Sequence, residues 1–197
     1  MPVALLHQCA PRVAEVTMAA IVQQESGGNP LAIHDNTTDR SYRPDSLFEA
    51  VGLARKFIAA GHSVDMGIAQ INSGNLPSLH LGLQQVFDPC LNLQAAQTIL
   101  LRGWKQSGGS LRGALSAYNT GNTESAVGAR YAAGVFWQAG VVVPSIPGGK
   151  LARWTTADAL HQVRVADAAL PPVRPVITWT PAASPLSPAE GVLAARW

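Results

Sequence analysis

The sequence predicts a mainly α-helical (α+β) domain with a small β-hairpin, followed by a proline-rich C-terminal extension. Apolar residues recur at helical spacing through most of residues 1–140, which is the pattern of helices that bury one face. Two short stretches inside that region lack the helical period. Eight of the fourteen prolines lie in residues 141–197, where helical patterns are weak. These observations divide the chain into a domain of residues 1–140 and an extension of residues 141–197, which we expect to be flexible.

Five segments have helical spacing, and several are bounded by residues that start or end helices. They are residues 11–25, 46–60, 92–106, 110–118 and 125–138. Pro11 suits the first turn of its helix and Gly27 suits its end. Ser46 and Glu49 have the spacing of a capping box at the start of the second helix. Between these helices, residues 31–33 and 62–66 are the predicted strands of the hairpin.

Composition argues against some classes of protein and partner. Only 13% of the residues are charged and the net charge is +2, so no strongly basic surface is available for nucleic acid. The mild positive charge is compatible with an anionic polymer such as a cell wall, and with many other partners. No run of eighteen apolar residues predicts a membrane span. Residues 1–10 lack the pattern of a signal peptide, so we expect that a signal has been removed or that export is not signalled here.

The two cysteines, Cys9 and Cys90, could form one disulfide or remain two buried thiols. A bridge would close a long loop, which corresponds to a stabilisation of about 4 kcal/mol in the chain-entropy view. It would also imply an oxidising compartment. Composition alone favours neither state.

Glu25 is a candidate acid at the end of the first predicted helix. It follows Ile21 by four residues and therefore shares the apolar face of that helix. Burial and the negative end of the helix dipole would both raise its pKa. A carboxyl that stays neutral near about pH 6 can protonate a glycosidic oxygen as a general acid. Taken alone, a solvated glutamate at a frayed helix end is the commoner case.

Two further segments carry candidate binding residues. Gln70 and Asn72 lie two residues apart after a predicted strand, and their amides can bind sugar hydroxyl and acetamido groups. Tyr118 ends an apolar helical stripe, so its ring is expected to be buried and its hydroxyl needs a partner, for which a carboxyl is one candidate. The alternative interpretation of the Gln70 segment is a turn followed by a helix cap. The alternative interpretation of Tyr118 is a core tyrosine beside the end of a helix at Asn119 and Gly121.

Together these segments resemble the signatures of the family 1 lytic transglycosylases. Glu25 and Ser26, residues 67–72 (GIAQIN) and residues 117–119 (AYN) occur in the family's order. Within that family the sequence is most similar to the transglycosylase component of type IV secretion and conjugative transfer systems, at residues 9–13, 21–30, 63–67 and 87–92. The resemblance covers roughly residues 9–137.

The resemblance implies a lysozyme-like fold and an enzyme that cleaves peptidoglycan strands as a lyase. Glu25 would be the single acid/base, and the product would be a 1,6-anhydro sugar formed without water. Tyr118 would position or polarise the carboxyl, and Asn119 would support it. The substrate-binding residues implied by the family are Ser26, Gln70, Asn72, Tyr118 and Asn119.

The same resemblance implies that Cys9 and Cys90 form a disulfide and that the protein works in the periplasm. It implies neither a cofactor nor a metal, and the five scattered histidines show no ligand spacing. Partners would be secretion-channel subunits, reached through the extension with its Trp154, Trp179 and Trp197. Where the family usually has methionine this chain has Ala69, and we expect that change to remove apolar packing against a bound sugar.

Two other functions compete with this interpretation. A lysozyme-type hydrolase would need a second carboxylate, for which Asp65 is the best candidate, although a loop anchor is its commoner role. Asp35, Asp39 and Asp45 fall in irregular polar sequence that favours solvated loops, and Glu49 has its capping role. The second competitor is a peptidoglycan-binding scaffold without catalysis.

Overall fold

A computed structural model describes residues 3–140, and it confirms a mainly helical architecture with a small antiparallel sheet. The predicted extension, residues 141–197, lies outside the described residues, together with its three tryptophans. The helices are α1 (Val3–Cys9), α2 (Glu15–Ser26), α3 (Leu47–Ala59), α4 (Leu76–Leu79), α5 (Pro89–Gln106), α6 (Leu111–Thr120) and α7 (Ala126–Gln138). The strands are β1 (Ile33–Asp35), β2 (Arg40–Tyr42), β3 (Val64–Met66) and β4 (Ile71–Asn72).

The sheet has four strands in the order β2-β1-β3-β4, all antiparallel, where the sequence predicted only a two-stranded hairpin. Ile33 pairs with Met66 across the two central strands, which confirms both predicted strands with shifted ends. The edge strands β2 and β4 are three and two residues long. Such short strands show no alternation of polar and apolar residues, so the pattern could not reveal them.

Side-chain caps set the starts of the longer helices. The Ser46 hydroxyl accepts a hydrogen bond from the Glu49 N–H at 3.2 Å, which confirms the predicted N-terminus of α3. Helix α5 begins at Pro89, three residues earlier than predicted, because the Asp88 carboxylate accepts the Leu91 N–H at 2.9 Å. Proline at the first helical position is compatible with that start, since its missing N–H would be unpaired there.

The N-terminal prediction needs correction at two points. Residues 3–9 form α1, which the sequence analysis did not predict. Helix α2 begins at Glu15 rather than at Pro11, since the chain turns after α1 with Val13 N–H donating to the Ala10 carbonyl at 3.1 Å. The disulfide between Cys9 and Cys90 is present, and it joins the end of α1 to the first turn of α5 across 81 residues of sequence.

The core lies where α2, α5, α6 and α7 pack together and meet the sheet. Its largest fully buried side chains include Met18 and Ile21 of α2, Leu93 and Leu100 of α5, and Leu115 of α6. Burying a side chain of this size stabilises the fold by about 2 kcal/mol each. The packing fixes the end of α2 against the sheet. None of the helices within residues 3–140 has the length and apolar character needed to cross a membrane.

Candidate active site

Glu25 lies in the last turn of α2 and borders a groove of about 370 Å³. Gly27 ends the helix with a φ of 64°, in the left-handed region that glycine adopts without strain. The residue is partly buried, and it lines the groove. This burial raises the pKa of Glu25 from 4.5 to about 8; a hydrogen bond from Tyr131 opposes the rise and the negative charge of Asp65 adds to it. Glu25 is therefore predominantly protonated at neutral pH.

Tyr131, on α7, holds this carboxyl directly. Its hydroxyl donates a hydrogen bond to Glu25 Oε1 at 2.5 Å. The ring of Tyr131 stacks on that of Tyr118, with the centroids 6.2 Å apart and the planes 15° from parallel. Burial and then the nearby Glu25 raise the pKa of both phenols, so both remain hydrogen-bond donors through the neutral range.

Ser26 fastens the end of α2 to the turn that precedes β4. Its buried hydroxyl lies 2.7 Å from the Ile68 carbonyl, to which it donates, and it accepts the Gly28 N–H at 3.1 Å. The residue is adjacent to the acid, as expected, but its hydroxyl faces backbone rather than the groove. Its contacts indicate that it positions Glu25.

The turn at residues 67–70 is held from the other side by Asn92 of α5, which is fully buried. Its amide donates to the Met66 and Val86 carbonyls at 3.0 and 2.6 Å and accepts the Ala69 N–H at 2.8 Å. Gly67 has a φ of 80°, and a Cβ there would lie 2.3 Å from the Asn92 amide nitrogen. Only glycine fits this close approach.

The two amides predicted to bind sugar both lie at the groove, but their donors already have protein partners. Gln70 Nε2 donates to the Ala32 and Gly67 carbonyls at 3.0 and 2.8 Å. Asn72 Nδ2 donates to Asp65 Oδ1 at 2.7 Å and to the Ser63 hydroxyl at 2.9 Å. These bonds fix the shape of the groove and leave the Gln70 amide oxygen as the group free to accept.

The groove is lined by the sheet on one side and by α5 and α6 on the other. Asp65 lies on the sheet side, where its oxygens accept hydrogen bonds from Asn72 and from Asn36 Nδ2 at 2.9 Å. The remaining lining groups are mostly amides, hydroxyl and small apolar surfaces, which suit a neutral polar polymer such as a sugar chain. The residues that line the groove include Glu25, Asp65, Asn75, Arg102, Tyr118 and Asn119.

The sequence model of one family, described as the Transglycosylase SLT domain, matches residues 4–133 of this chain. The chain belongs to this family. The residues matched extend from α1 into α7 and so include Glu25, the turn at residues 67–70 and both stacked tyrosines.

This chain of the transglycosylase family is also similar to curated proteins named virB1. It is 41% identical over 124 residues to Protein virB1 of Agrobacterium fabrum (strain C58 / ATCC 33970), covering 59% of this chain and 50% of that protein. It is 44% identical over 126 residues to Type IV secretion system protein virB1 of Brucella abortus biovar 1 (strain 9-941), covering 60% and 53%. The matched region is thus about half of each relative's length. No solved structure matches the chain significantly.

In this transglycosylase domain the hydroxyl that contacts Glu25 is not the predicted one. The Tyr118 hydroxyl donates to the Ala69 carbonyl at 2.7 Å, while Tyr131 makes the bond to the carboxyl. Tyr131 was not among the predicted site residues, because it lies on the apolar stripe of its helix, 106 residues from Glu25. A tyrosine in such a stripe was the available signal, since a buried phenol needs a hydrogen-bond partner. Asn119 is exposed and lines the groove.

Ala69 does not occupy the position expected of it. The residue is fully buried in the core, with its N–H bound to Asn92 and its carbonyl bound to Tyr118. It is not among the residues that line the groove. Alanine at this position thus presents no surface to the groove, and the expected loss of apolar packing against a bound sugar stays a prediction.

Of the other carboxylates, Asp35 also differs from the prediction. It is fully buried on β1 rather than solvated in a loop, and it binds His62 at 2.8 Å. Asp39 and Asp45 are exposed, as predicted, and Glu49 makes its capping contacts. Within residues 3–140, no cluster of three or more His, Cys, Asp or Glu side chains is placed to hold a metal ion.

Proposed function

We propose that the protein is a peptidoglycan lytic transglycosylase. It would cleave the β-1,4 bond between N-acetylmuramic acid and N-acetylglucosamine and release a 1,6-anhydro-muramic acid end. The observation that carries the proposal is the Glu25 carboxyl, protonated at neutral pH and held by Tyr131 at the edge of a polar groove. Membership of the transglycosylase family supports the same reaction class.

In the first step, Glu25 donates its proton to the glycosidic oxygen as the bond from that oxygen to C1 of muramic acid breaks. The transition state has oxocarbenium character. A carboxyl with a pKa of about 8 is in its acid form at pH 7, so nearly every molecule starts in the productive state.

In the second step, the Glu25 carboxylate removes the proton from the muramic acid 6-hydroxyl, and that oxygen bonds to C1. The proton returns to Glu25, so the enzyme is regenerated and no water is consumed. The burial that makes Glu25 an available acid also makes its anion a strong base. Tyr131 would hold the carboxyl in place through both steps.

Tyr118, Asn119, Gln70 and Asn72 would contribute to glycan binding as parts of the groove. Tyr118 also supports the turn before β4 through its bond to Ala69. Ser26 would act indirectly, because its hydroxyl is committed to the Ile68 carbonyl.

Asp65 is the observation that favours the competing function, a muramidase that uses water. It lies in the same groove as Glu25 and would be the second carboxylate. Its two oxygens each accept an amide hydrogen bond, from Asn36 and Asn72. Both oxygens are therefore already bound by the protein, as in the loop-anchoring role that is common for such a residue, which supports the one-carboxylate mechanism.

Mass spectrometry of muropeptides released from purified sacculi separates these functions. We expect wild-type protein to release fragments that lack one water relative to hydrolysis products, and Glu25→Gln protein to release none above background. Fragments that carry the added water would show a muramidase. Equal digestion by Glu25→Gln protein would show that Glu25 is not the catalytic acid. No digestion by the wild type would favour a binding scaffold without this chemistry.

We further propose that the protein works outside the cytoplasm and opens the wall locally for a type IV secretion or conjugation channel. Support comes from the name of the Brucella relative and from the disulfide, which is compatible with an oxidising compartment. Channel subunits would bind the extension of residues 141–197. Crosslinking in cells tests this: replacing Trp154, Trp179 and Trp197 together by alanine should reduce crosslinks to channel subunits while muropeptide release continues.

A further inference from the structure

Arg102, on α5, is the basic side chain among the residues that line the groove of the described domain. The carboxyl groups that line the same groove belong to Glu25 and Asp65. Glu25 is neutral at pH 7 because of its raised pKa, so the charged groups facing the groove are one anion and one cation. Their positions differ: Asp65 belongs to the sheet and Arg102 to the helical side.

The Arg102 side chain is exposed, and two hydrogen bonds connect it to the wall of the groove. Its Nη1 donates to the Ser78 hydroxyl at 3.3 Å and its Nη2 to the Ser78 carbonyl at 3.5 Å. The Ser78 hydroxyl donates in turn to the carbonyl of Asn75, which also lines the groove. These bonds hold the guanidinium near α4 and leave its other N–H groups available to a ligand.

No carboxylate of residues 3–140 forms an ion pair with Arg102. Asp65 is instead satisfied by its two amide partners on the sheet side. An anionic group entering the groove would therefore be repelled from the sheet side and attracted to the α5 side. Because a guanidinium binds carboxylates with two parallel hydrogen bonds, this arrangement favours a carboxylate over a diffuse anion.

We infer that Arg102 binds a carboxylate carried on the lactyl side of muramic acid, and so makes the groove selective for muramic acid-bearing strands. The inference rests on the proposed function. The hydroxyl and acetamido groups of the glycan are neutral. Its carboxylates are the free lactyl group of a strand without peptide, or the carboxylates of a stem peptide attached at that position. Both sources present the same chemistry to Arg102.

Equilibrium binding to catalytically disabled full-length Glu25→Gln protein tests the inference without turnover. The ligands are glycan strands of one length with free-acid stem peptides, with stem peptides whose carboxylates are amidated, and with the peptides removed to expose the lactyl carboxylate. Chitohexaose is the neutral reference. Adding Arg102→Ala should reduce the preference for carboxylate-bearing strands over chitohexaose about fivefold, in line with a partly solvated charge pair.

The matched control is Lys105→Ala, which removes a positive charge from the same helix at an exposed position that does not line the groove. It should leave the preference unchanged. A loss confined to strands with free-acid peptides identifies the stem peptide as the source, and a loss that includes peptide-free strands identifies the lactyl carboxylate. The preference of the parent should also weaken as salt rises from about 0.05 to 0.5 M, since screening shortens the reach of the charge.

Equal weakening of all ligands, chitohexaose included, would overturn the inference, and so would an unchanged preference or an equal effect of Lys105→Ala. Failure of the proposed function has a different signature, because it would appear as wild-type protein that binds strands and releases no anhydro-muropeptides. The binding result with Arg102→Ala decides the inference in either case.

Discussion

Two enclosed carboxylates in this domain, Glu25 and Asp35, show how neighbouring regions give the same chemical group opposite properties. Glu25, at the end of α2, accepts one side-chain hydrogen bond, from Tyr131, and its pKa is raised to about 8. Burial would also raise the pKa of Asp35 on β1. Hydrogen bonds from Thr38, His62 and the Thr37 N–H, with the charge of His62, bring it below its usual 3.8. Partners, more than burial, thus decide which carboxyl remains an acid.

The two regions are also built differently. His62, the partner of Asp35, stacks on Phe57 with the ring centroids 5.8 Å apart, so the ion pair joins β1 to the end of α3. In contrast, Glu25 Oε2 has no hydrogen-bond partner among the described residues. We therefore expect Asp35 to contribute to stability and Glu25 to contribute to activity at a cost in stability.

The largest expected effect is on activity at Glu25. Glu25→Gln should lower the rate of anhydro-muropeptide release at least about a thousandfold, because it removes the group that transfers the proton in both steps. The substitution keeps the size of the side chain, so circular dichroism should show an intact fold. Asp35→Asn is the matched comparison. The folded variant should release anhydro-muropeptides at a rate within about threefold of the wild type. A thousandfold loss would contradict the difference in role between the two carboxylates.

The second effect is the pH dependence of stability, which should differ in sign between the carboxylates. Since the folded-state pKa of Glu25 lies above its unfolded value, its contribution weakens the fold as pH rises from 4.5 to about 8. Each tenfold change in proton affinity corresponds to about 1.4 kcal/mol, so the change from 4.5 to about 8 gives a decline on the order of 5 kcal/mol. Urea unfolding across that range measures it, and Glu25→Gln should flatten the profile. Asp35 should act in the opposite sense, stabilising above its unfolded pKa and failing as pH falls through the folded value.

A third effect separates the structural carboxylate from the chemical one. Asp35→Asn should lower the melting temperature by several degrees, since the carboxylate that accepts hydrogen bonds from His62 and Thr38 is replaced by an amide. Differential scanning calorimetry at pH 7 measures the shift, and Asp39→Asn, at an exposed position, is the control. An unchanged melting temperature would show that the hydrogen-bonded network does not stabilise the sheet.

The smallest expected effect comes from the one bond that Glu25 receives. Tyr131→Phe should reduce the rate about tenfold and move the alkaline limb of the pH–rate profile upward, because the lost hydrogen bond had lowered the pKa of Glu25. Tyr42→Phe is the control, since Tyr42 also loses a phenol hydroxyl but does not line the groove. A rate loss with no movement of the profile would assign Tyr131 a purely structural role.

The sequence was sufficient for the parts of the fold that rest on local chemistry. Residue spacing predicted the capping pair Ser46 and Glu49, the periodic apolar positions and the position of Glu25 at a helix end. The disulfide was implied by resemblance. In contrast, α1 and the edge strands were not predicted, because short elements have too few residues to show a periodic pattern.

The site was predictable as a set of residues but not as a set of contacts. Gln70 and Asn72 reach the groove as expected, yet the bonds that occupy their amides come from backbone and side chains fixed only by tertiary packing. The same holds for Tyr131, whose hydroxyl meets Glu25 through the contact of α7 with α2. The burial of Asp35 was not predicted, because a polar segment does not indicate which of its carboxylates points inward to His62.

The central claim, that Glu25 is a neutral acid at pH 7, is open to direct measurement. Carbon-13 NMR of protein labelled at the glutamate side-chain carboxyls, compared with Glu25→Gln protein, isolates the Glu25 signal and its titration. We predict a midpoint near pH 8, well above that of an ordinary glutamate at 4.5. A Glu25 signal that titrates near 4.5 would contradict the account, because the carboxyl would then be ionised at neutral pH and could not begin the reaction as an acid.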